Sequence, residues 1–317
     1  MPVDPVAETS LAGTVRRALR ADRWALAGAV AVGLLAVLAA GADVLSAIEG
    51  QDPYEYHNDA LDPQTGTPAG SFGGMSARHW FGVEPLTGRD LFAIVAYGAR
   101  TSLLIGLAAT AVSIALGAGL GLLAGYRGGW IDRIVSRTAD VMFGFPYLIF
   151  MIALGAVTPL TFPRPLLLII LLGFFGWPRV ARVIRAQTLS LRQRGFVSAS
   201  RLMGASTVQV FRRQLLPNLW APIVVVGTLL VPERIAGEAA LSFLGAGIPP
   251  PHPSLGRSIG DAVDWVSADP AFLFFPGGVL FLATLALNLL GDGLRDAFDP
   301  RAAAFQPRRT REPEVRP

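Results

Sequence analysis

Residues 196–218, FVSASRLMGASTVQVFRRQLLPN, form an amphipathic segment in a chain that otherwise consists largely of apolar runs. The segment carries Arg201, Arg212 and Arg213, and long apolar stretches lie on both sides of it. A basic segment between two apolar stretches is typical of an inside loop that joins two membrane spans. The fold therefore depends on how many spans the apolar stretches supply.

The composition indicates a membrane protein. Hydrophobic residues make up 52% of the 317 residues and charged residues only 16%, whereas a soluble domain carries about a quarter charged residues. A bilayer core of roughly 30 Å needs about 20 mostly apolar helical residues. The short run 165–178 can extend into RVARVIRAQ, and the run from 214 can continue into AALSFLGAG. We predict an all-α polytopic membrane protein with about six transmembrane helices, built on the uncharged runs 24–42, 101–126, 141–163, 165–178, 214–232 and 270–291.

Two residue types are missing from the sequence. Without cysteine the chain has no disulfide, thiolate nucleophile, Cys-based zinc site or iron–sulfur cluster. All 27 basic residues are arginine, and a Walker A loop needs a lysine to reach the nucleotide phosphates. The chain therefore cannot bind ATP by that route.

The arginines predict the topology, because cytoplasmic loops are enriched in basic residues. With the N-terminus inside, six spans place the C-terminus inside as well. The inside segments 1–23, 126–138, 178–218 and 292–317 then hold 21 arginines, and the outside segments hold five. We expect both termini in the cytoplasm, and nucleic-acid binding is a poor explanation of the net charge of +4.

The first span, WALAGAVAVGLLAVLAAGA, has two interpretations. Its end, LAAGA, resembles a signal-peptide cleavage site, but the apolar region is longer than the usual 7–15 residues. An uncleaved anchor is favoured, and cleavage would not change the orientation of the later spans.

The chain divides into three regions. Residues 1–100 hold the anchor span and an outside loop, and residues 101–299 hold a five-span core with an inside loop at 187–217. The tail 300–317 is rich in Arg and Pro and is predicted to be disordered in the cytoplasm. The three histidines lie in outside loops and are interpreted as solvated residues without a metal: His57, His79 and His252.

Two short helices are predicted within the inside loop. From 187 to 203 the pattern is helical, with Phe196, Ala199 and Met203 on one face. Gly204 permits a sharp change of direction. A second helix from about Thr207 to Leu215 places Val208 and Phe211 on one face with Leu215, and Pro217 is expected to stop it.

Spacing alone leaves two roles open for this pair of helices. Helix-in-groove docking to a soluble partner uses apolar anchors of this kind. An amphipathic helix lying on the inner leaflet, with arginines on anionic headgroups, has a similar pattern.

The segment resembles the EAA loop of ABC-importer permeases. That loop pairs an E-A-A triplet with a downstream glycine and a closing hydrophobic-Leu-Pro, which correspond here to Ser198, Ala199 and Ser200, to Gly204, and to Leu215, Leu216 and Pro217. Ser198 replaces the acidic first residue, so an ion pair made by the family's Glu is absent or supplied elsewhere.

Further matches cover most of the chain from about residue 79. GRDLFAIVAYGARTSLLIG, YRGGWIDRIVSRTADVMFGFP, GWPRVARVIRAQTLSLRQRGFV, EAALSFLGAGIPPPHPSLG and NLLGDGLRDAFDPR resemble the second permease subunit of dipeptide and oligopeptide importers. Nickel and glutathione importers belong to the same group, so the substrate class is left open.

The resemblance implies a type I ABC-importer permease in the cytoplasmic membrane. The partners would be a homologous second permease, two ATPase subunits that bind MgATP, and an extracytoplasmic substrate-binding protein. This subunit would hold no cofactor and would hydrolyse no ATP. The implied ATPase-coupling residues are Phe196, Ser198, Ala199, Met203, Gly204, Val208, Phe211, Leu215 and Pro217.

Three charges lie within the fifth span, in VPERIAGEAAL. Glu233, Arg234 and Glu238 should face protein or a water-filled path, because a charge at a helix centre costs about 2.5–3.5 kcal/mol on insertion scales. Arg234 and Glu238 are four residues apart and are expected to form a structural ion pair. The alternative is that the charges line a translocation path, and the role of Glu233 is left open.

Two other functional classes were weighed against a permease. An ion-coupled secondary transporter would explain the intramembrane charges without partners, but it predicts internal repeats, and no convincing repeat is visible. A membrane-embedded enzyme would need a carboxylate or histidine cluster, for which Asp292, Asp296 and Asp299 are the nearest candidates. Their interleaving with Arg295 suits a solvated helix end better than a metal site.

Overall fold

The computed structural model describes residue 13 and residues 22–159 and 161–298. Asp299, the 300–317 tail and residues 1–12 and 14–21 of the predicted inside N-terminal segment lie outside the described residues. Within them the chain is helical, and β-pairing is confined to two isolated bridges. The helices are α1 (Arg23–Ala40), α2 (Ala42–Glu49), α3 (Leu91–Arg127), α4 (Gly129–Gly144), α5 (Tyr147–Val157), α6 (Arg164–Leu191), α7 (Gly195–Leu202), α8 (Thr207–Phe243), α9 (Leu255–Ala262) and α10 (Pro270–Phe298).

Five of these helices are long and apolar enough to cross a membrane, namely α1, α3, α6, α8 and α10. A sixth candidate is the pair α4 and α5, which is bent by 82° at a short break. The predicted count of about six spans is confirmed, and the run 141–163, predicted as one span, overlaps this bent pair of helices. Phe145 is extended there, with φ −88° and ψ 131°, because the proline that follows it disfavours the helical conformation.

Glycines allow α3 and α6 to pack in close contact. Gly117, Gly121 and Gly125 recur every four residues on one face of α3. A Cβ at Gly117 would come within 2.4 Å of the Val180 Cβ, and a Cβ at Gly121 within 2.5 Å of the Ala181 carbonyl oxygen. Small residues at a helix contact let two backbones approach closely in a membrane, so this glycine row brings α3 and α6 together.

Loops predicted to lie on the same side of the membrane lie together. At one end, which we call the cap end, Tyr54, Phe162 and His252 line one cavity and so join three connecting segments. At the other end, the loop end, the Arg192 guanidinium donates to the carbonyl oxygens of Gly125 and Tyr126 at 3.1 and 3.3 Å.

The cap end is more ordered than the polar sequence of residues 43–101 indicates. His79 is buried, and its Nδ1 lies 2.9 Å from Oδ2 of Asp90, so the interpretation of His79 as a solvated residue is wrong. Asp90 also accepts a hydrogen bond from the Ala93 N–H and caps α3. Because α3 begins at Leu91, the predicted regional boundary at residue 100 falls inside this helix.

Candidate functional site

The 196–217 segment is a helix–turn–helix at the loop end. α7 ends at Leu202, and Gly204 turns the chain with φ +79°, a conformation that favours glycine. Ser206 then caps α8 in a capping box with Gln209. The predicted turn at Gly204 is confirmed, although the helix expected over 187–203 is interrupted at residues 192–194, between α6 and α7.

Pro217 does not stop the second helix, contrary to the prediction. Residues 207–243 form one helix, and the turn Phe211–Leu215 is a π-helix in which the Leu216 N–H donates to the Phe211 carbonyl oxygen. A proline lacks the N–H and clashes with the preceding turn of an α-helix. The wider π-turn accommodates Pro217, and the 196–217 segment therefore continues into the membrane span without a break.

Buried apolar residues hold this segment against α6. Val197, Val210 and Leu215 are fully buried and pack in one cluster with Val180 and Ile184 of α6. Each part of the helix–turn–helix therefore contributes to a shared core, which fixes the segment on the end of the bundle.

The opposite side of the segment presents apolar residues at its surface. Met203 is 80% exposed and Val208 64% exposed, and Phe196, Ser198 and Ala199 are also exposed. Leu202, which the sequence analysis did not select, is 90% exposed. The signal that could have identified it is its position beside Met203 at the end of a short helix.

Val208, Phe211 and Leu215, which are predicted to share one helix face, differ in their exposure. Val208 lies in the first turn of α8 and projects from the surface, whereas Phe211 is half-buried and Leu215 is buried where α8 meets the bundle. Phe211 and Leu215 therefore support the exposed surface from inside and are not part of it.

Tyr126, at the end of α3, links both halves of the segment to the bundle. Its ring packs edge-on against Phe211 at a centroid distance of 4.7 Å. The Arg201 guanidinium lies over the Tyr126 ring, 4.5 Å from the ring centroid. The Nε of Arg201 also donates a hydrogen bond to the Tyr126 hydroxyl at 3.2 Å. Tyr126 therefore connects the segment to α3, while the segment itself continues into α8.

The intramembrane charges pair differently from the prediction. Arg234 donates to the neighbouring Glu233 at 3.0 Å and to the Leu172 carbonyl oxygen at 3.1 Å. Glu233 also forms an ion pair with Arg179 of α6. The expected Arg234–Glu238 pair is wrong, because Arg234 extends toward α6 and Glu238 is enclosed by hydroxyl groups.

Glu238 accepts hydrogen bonds from three serines on three elements. The Ser102 hydroxyl of α3 donates at 2.6 Å, that of Ser242 in α8 at 2.7 Å, and that of Ser254, the N-cap of α9, at 2.9 Å. The carboxylate is fully buried. It therefore ties the segment that follows α8 at the cap end to two membrane helices.

A second group of titratable residues lies at the cap end. Burial raises the pKa of Glu49 to about 7 and that of Asp90 to about 6, and each carboxyl is close to the other. Burial lowers the pKa of the adjacent His79. Glu49 and Asp90 therefore hold their protons at higher pH than carboxyls in water do.

The acidic residues near the end of α10 do not gather into a metal-ligating cluster among the described residues. No group of three or more His, Cys, Asp or Glu residues in residues 13, 22–159 and 161–298 is arranged to hold a metal ion. Asp292 and Asp296 are exposed near the end of α10 together with Arg295.

Comparison with known proteins agrees with this architecture. The family described as "Binding-protein-dependent transport system inner membrane component" matches residues 117–304. A dipeptide transport system permease protein of Bacillus subtilis is 38% identical over 90% of this chain and 84% of its own length. A glutathione transport system permease protein of Escherichia coli is 39% identical over 90% and 89%, and an oligopeptide transport system permease protein of Bacillus subtilis is 35% identical over 89% and 87%.

The fold is also found in a solved transporter structure. A chain of the MetNI methionine ABC transporter in an inward-facing conformation superposes with a TM-score of 0.53 at 23% identity, covering 65% of this chain and 96% of that chain. The family match and the sequence identity over most of the chain agree with the helical membrane fold. This chain therefore belongs to the family of binding-protein-dependent transport system inner membrane components, the multi-pass membrane permeases of ABC importers.

Proposed function

We propose that the chain is a permease subunit of an ATP-driven importer of short peptides. It would form the translocation path with a homologous second permease and receive its cargo from an extracytoplasmic binding protein. Relatives named for dipeptide, oligopeptide and glutathione transport support this substrate class, since glutathione is itself a tripeptide. Selection among peptides would rest largely on the binding protein.

The exposed apolar tip of the 196–217 segment carries the proposal. Leu202 and Met203 project from the loop end on a base of buried Val197, Val210 and Leu215. Two adjacent, almost fully exposed apolar side chains on a rigid base are suited to insertion into a groove of a partner protein. We assign that groove to cytoplasmic ATPase subunits, and the loop end and both termini would then lie in the cytoplasm.

The stacking of Arg201 and the position of the most exposed apolar residues favour docking over an amphipathic helix lying on the lipid surface. A surface helix needs its basic side chains free for anionic headgroups. Of the three arginines of the segment, Arg201 is instead stacked on Tyr126, whereas Arg212 and Arg213 are exposed. The most exposed apolar residues, Leu202 and Met203, lie at the turn between the two helices.

The chemical work of transport would be done by the partner subunits. Because this chain contains no lysine, it has no Walker A site, and MgATP would bind to the ATPases. Closure of the ATPase dimer would move the 196–217 segment, and the continuous helix α8 would carry that movement into the membrane. The comparisons lend no support to an ion-coupled carrier that acts without an ATPase.

Affinity purification tests this assignment. The tagged chain, extracted gently from its native membrane, should bring with it a second permease and Walker-motif ATPases in stoichiometric amounts by mass spectrometry. Met203→Asp should lose the ATPases and keep the second permease, and Val263→Asp, an exposed apolar position at the cap end, should lose neither. A chain that purifies alone would contradict the proposal.

A further inference from the structure

The charged residues Arg179, Glu233 and Arg234 line a cavity near the middle of the membrane helices. The cavity has a volume of about 170 Å³ and lies where the bend between α4 and α5 opens beside α6 and α8. Its remaining wall is mainly aromatic, formed by Phe143, Phe145, Tyr147 and Phe175. The cavity is thus lined by three charged side chains and by a mainly aromatic group of residues.

Two of these charges are exposed at a depth where lipid would not tolerate them. The side chain of Arg179 is 55% exposed and that of Glu233 is 38% exposed. Both belong to helices that are candidate membrane spans. Charged side chains at membrane depth face a protein interior or a water-filled path, so the mouth of the cavity faces a partner permease or a water-filled path and not the lipid.

The cluster carries one surplus positive charge. Two guanidinium groups share the single carboxylate of Glu233, which pairs with both Arg179 and Arg234. Arg234 is almost fully buried, and its Nε–H has no hydrogen-bond partner among the described residues. A buried cation that is only half neutralised attracts an anion, and the planar guanidinium fits a carboxylate in particular.

We propose that this cavity binds the free C-terminal carboxylate of the peptide during its passage, with Arg179 as the contacting cation. The inference rests on the proposed function, since it takes a short peptide as the cargo. The aromatic wall would accept the apolar side chains of the peptide. Glu233 competes with the cargo for Arg179, which keeps the binding weak enough for release, as a translocation path requires.

The experiment compares peptides that differ only in their C-terminus. The complete complex is reconstituted in proteoliposomes with its binding protein, and initial uptake is measured for dialanine and trialanine and for their C-terminal amides, all at saturating concentration. Because every variant uses the same binding protein, its own preference cancels when the acid-to-amide ratio is compared between variants.

Arg179→Gln should lower uptake of the free acids about tenfold, in the range of a lost charge-assisted hydrogen bond, and change uptake of the amides less than about twofold. Arg182→Gln is the matched control, because Arg182 lies on the same helix, is similarly exposed and pairs with Asp140 outside the cavity. It should leave the ratio unchanged. If the wild-type complex imports no amide, the free-acid uptake rates of Arg179→Gln and Arg182→Gln are compared with each other, and only Arg179→Gln should be slow.

Three outcomes would overturn the inference in distinguishable ways. Equal loss of acid and amide uptake in Arg179→Gln would assign the cluster to an ion pair with the partner permease. No loss in either would make the cavity irrelevant to transport. Failure of the wild-type complex to import any of the free peptides would contradict the proposed function itself.

Discussion

The ring of Tyr126, the penultimate residue of α3, packs edge-on against Phe211 at a centroid distance of 4.7 Å. This contact joins the first long membrane helix of the core to the π-turn at the start of α8. With Arg201 on the same ring, it makes the 196–217 segment part of the bundle's rigid end. If the proposed function is right, movement of the exposed tip should therefore reach both α3 and α8.

Replacement of Phe211 should loosen the segment without removing its exposed surface. Phe211→Leu keeps an apolar side chain but loses the aromatic pair, which contributes about 0.5–1.5 kcal/mol. Hydrogen exchange of residues 196–217 should become faster. Phe196→Leu is the control, because Phe196 is exposed, and it should leave exchange unchanged. Equal exchange in the two variants would show that the Tyr126 contact does not hold the segment.

The turn at Gly204 should be intolerant of a side chain for conformational reasons only. A Cβ there would meet no described atom within 4 Å, but the backbone has φ +79°. A non-glycine residue in this left-handed region costs about 1–2 kcal/mol. Gly204→Ala should therefore reduce ATP-driven uptake, whereas Gly195→Ala, also in open space but without a positive φ, should not. Normal uptake in Gly204→Ala would mean that the turn can rearrange.

The buried carboxylate of Glu238 should be needed for the stability of the cap end. Glu238→Ala leaves three serine hydroxyls without their acceptor, and an unsatisfied buried group costs about 1–3 kcal/mol. Its thermal unfolding temperature in detergent should fall clearly below that of Ser102→Ala, which removes one donor and leaves two. Similar unfolding temperatures for the two variants would contradict a central role for the carboxylate.

The cap end should become less stable as the pH rises. The pKa of Glu49 is raised from 4.5 to about 7 and that of Asp90 from 3.8 to about 6. The folded chain therefore holds these protons more tightly than the unfolded chain, and the stabilisation present below about pH 4 is lost as the pH rises toward 7. The lowered pKa of His79 has the opposite effect on stability. The stabilisation from neutral His79 is present above about pH 6.5 and is lost as the pH falls below that value.

Hydrogen exchange of residues 76–92, corrected for the intrinsic rate, measures this effect. Protection should be greater at pH 5.5 than at pH 8 in the wild type. Glu49→Gln removes the titrating charge and should reduce the difference between the two pH values. A wild-type difference of the opposite sign would mean that His79 dominates.

The number of spans, the turn at Gly204 and the family could be predicted because each depends on local sequence. Apolar length determines whether a helix can cross a membrane, and a glycine determines where a left-handed turn is possible. The bend between α4 and α5 could also have been anticipated from Pro146, because a proline restricts the residue before it.

The pairing of the intramembrane charges could not be predicted, because it depends on neighbouring helices. Arg234 and Glu238 have the spacing of an ion pair, yet Arg234 bonds to Glu233 and to the Leu172 carbonyl oxygen. Glu238 accepts from Ser242, four residues on, and from Ser102 and Ser254 on two other elements. The buried state of His79 depends in the same way on Asp90, which lies 11 residues away. Such contacts follow from tertiary packing and leave no periodic signal.

A measurement of which energy source drives transport tests the central claim most directly. The purified complex is reconstituted in proteoliposomes with its binding protein, and uptake of labelled trialanine is measured with ATP present and all ion gradients dissipated. We expect that uptake requires ATP and that Met203→Asp abolishes it. Uptake by this chain alone, driven by an ion gradient without ATP, would contradict it.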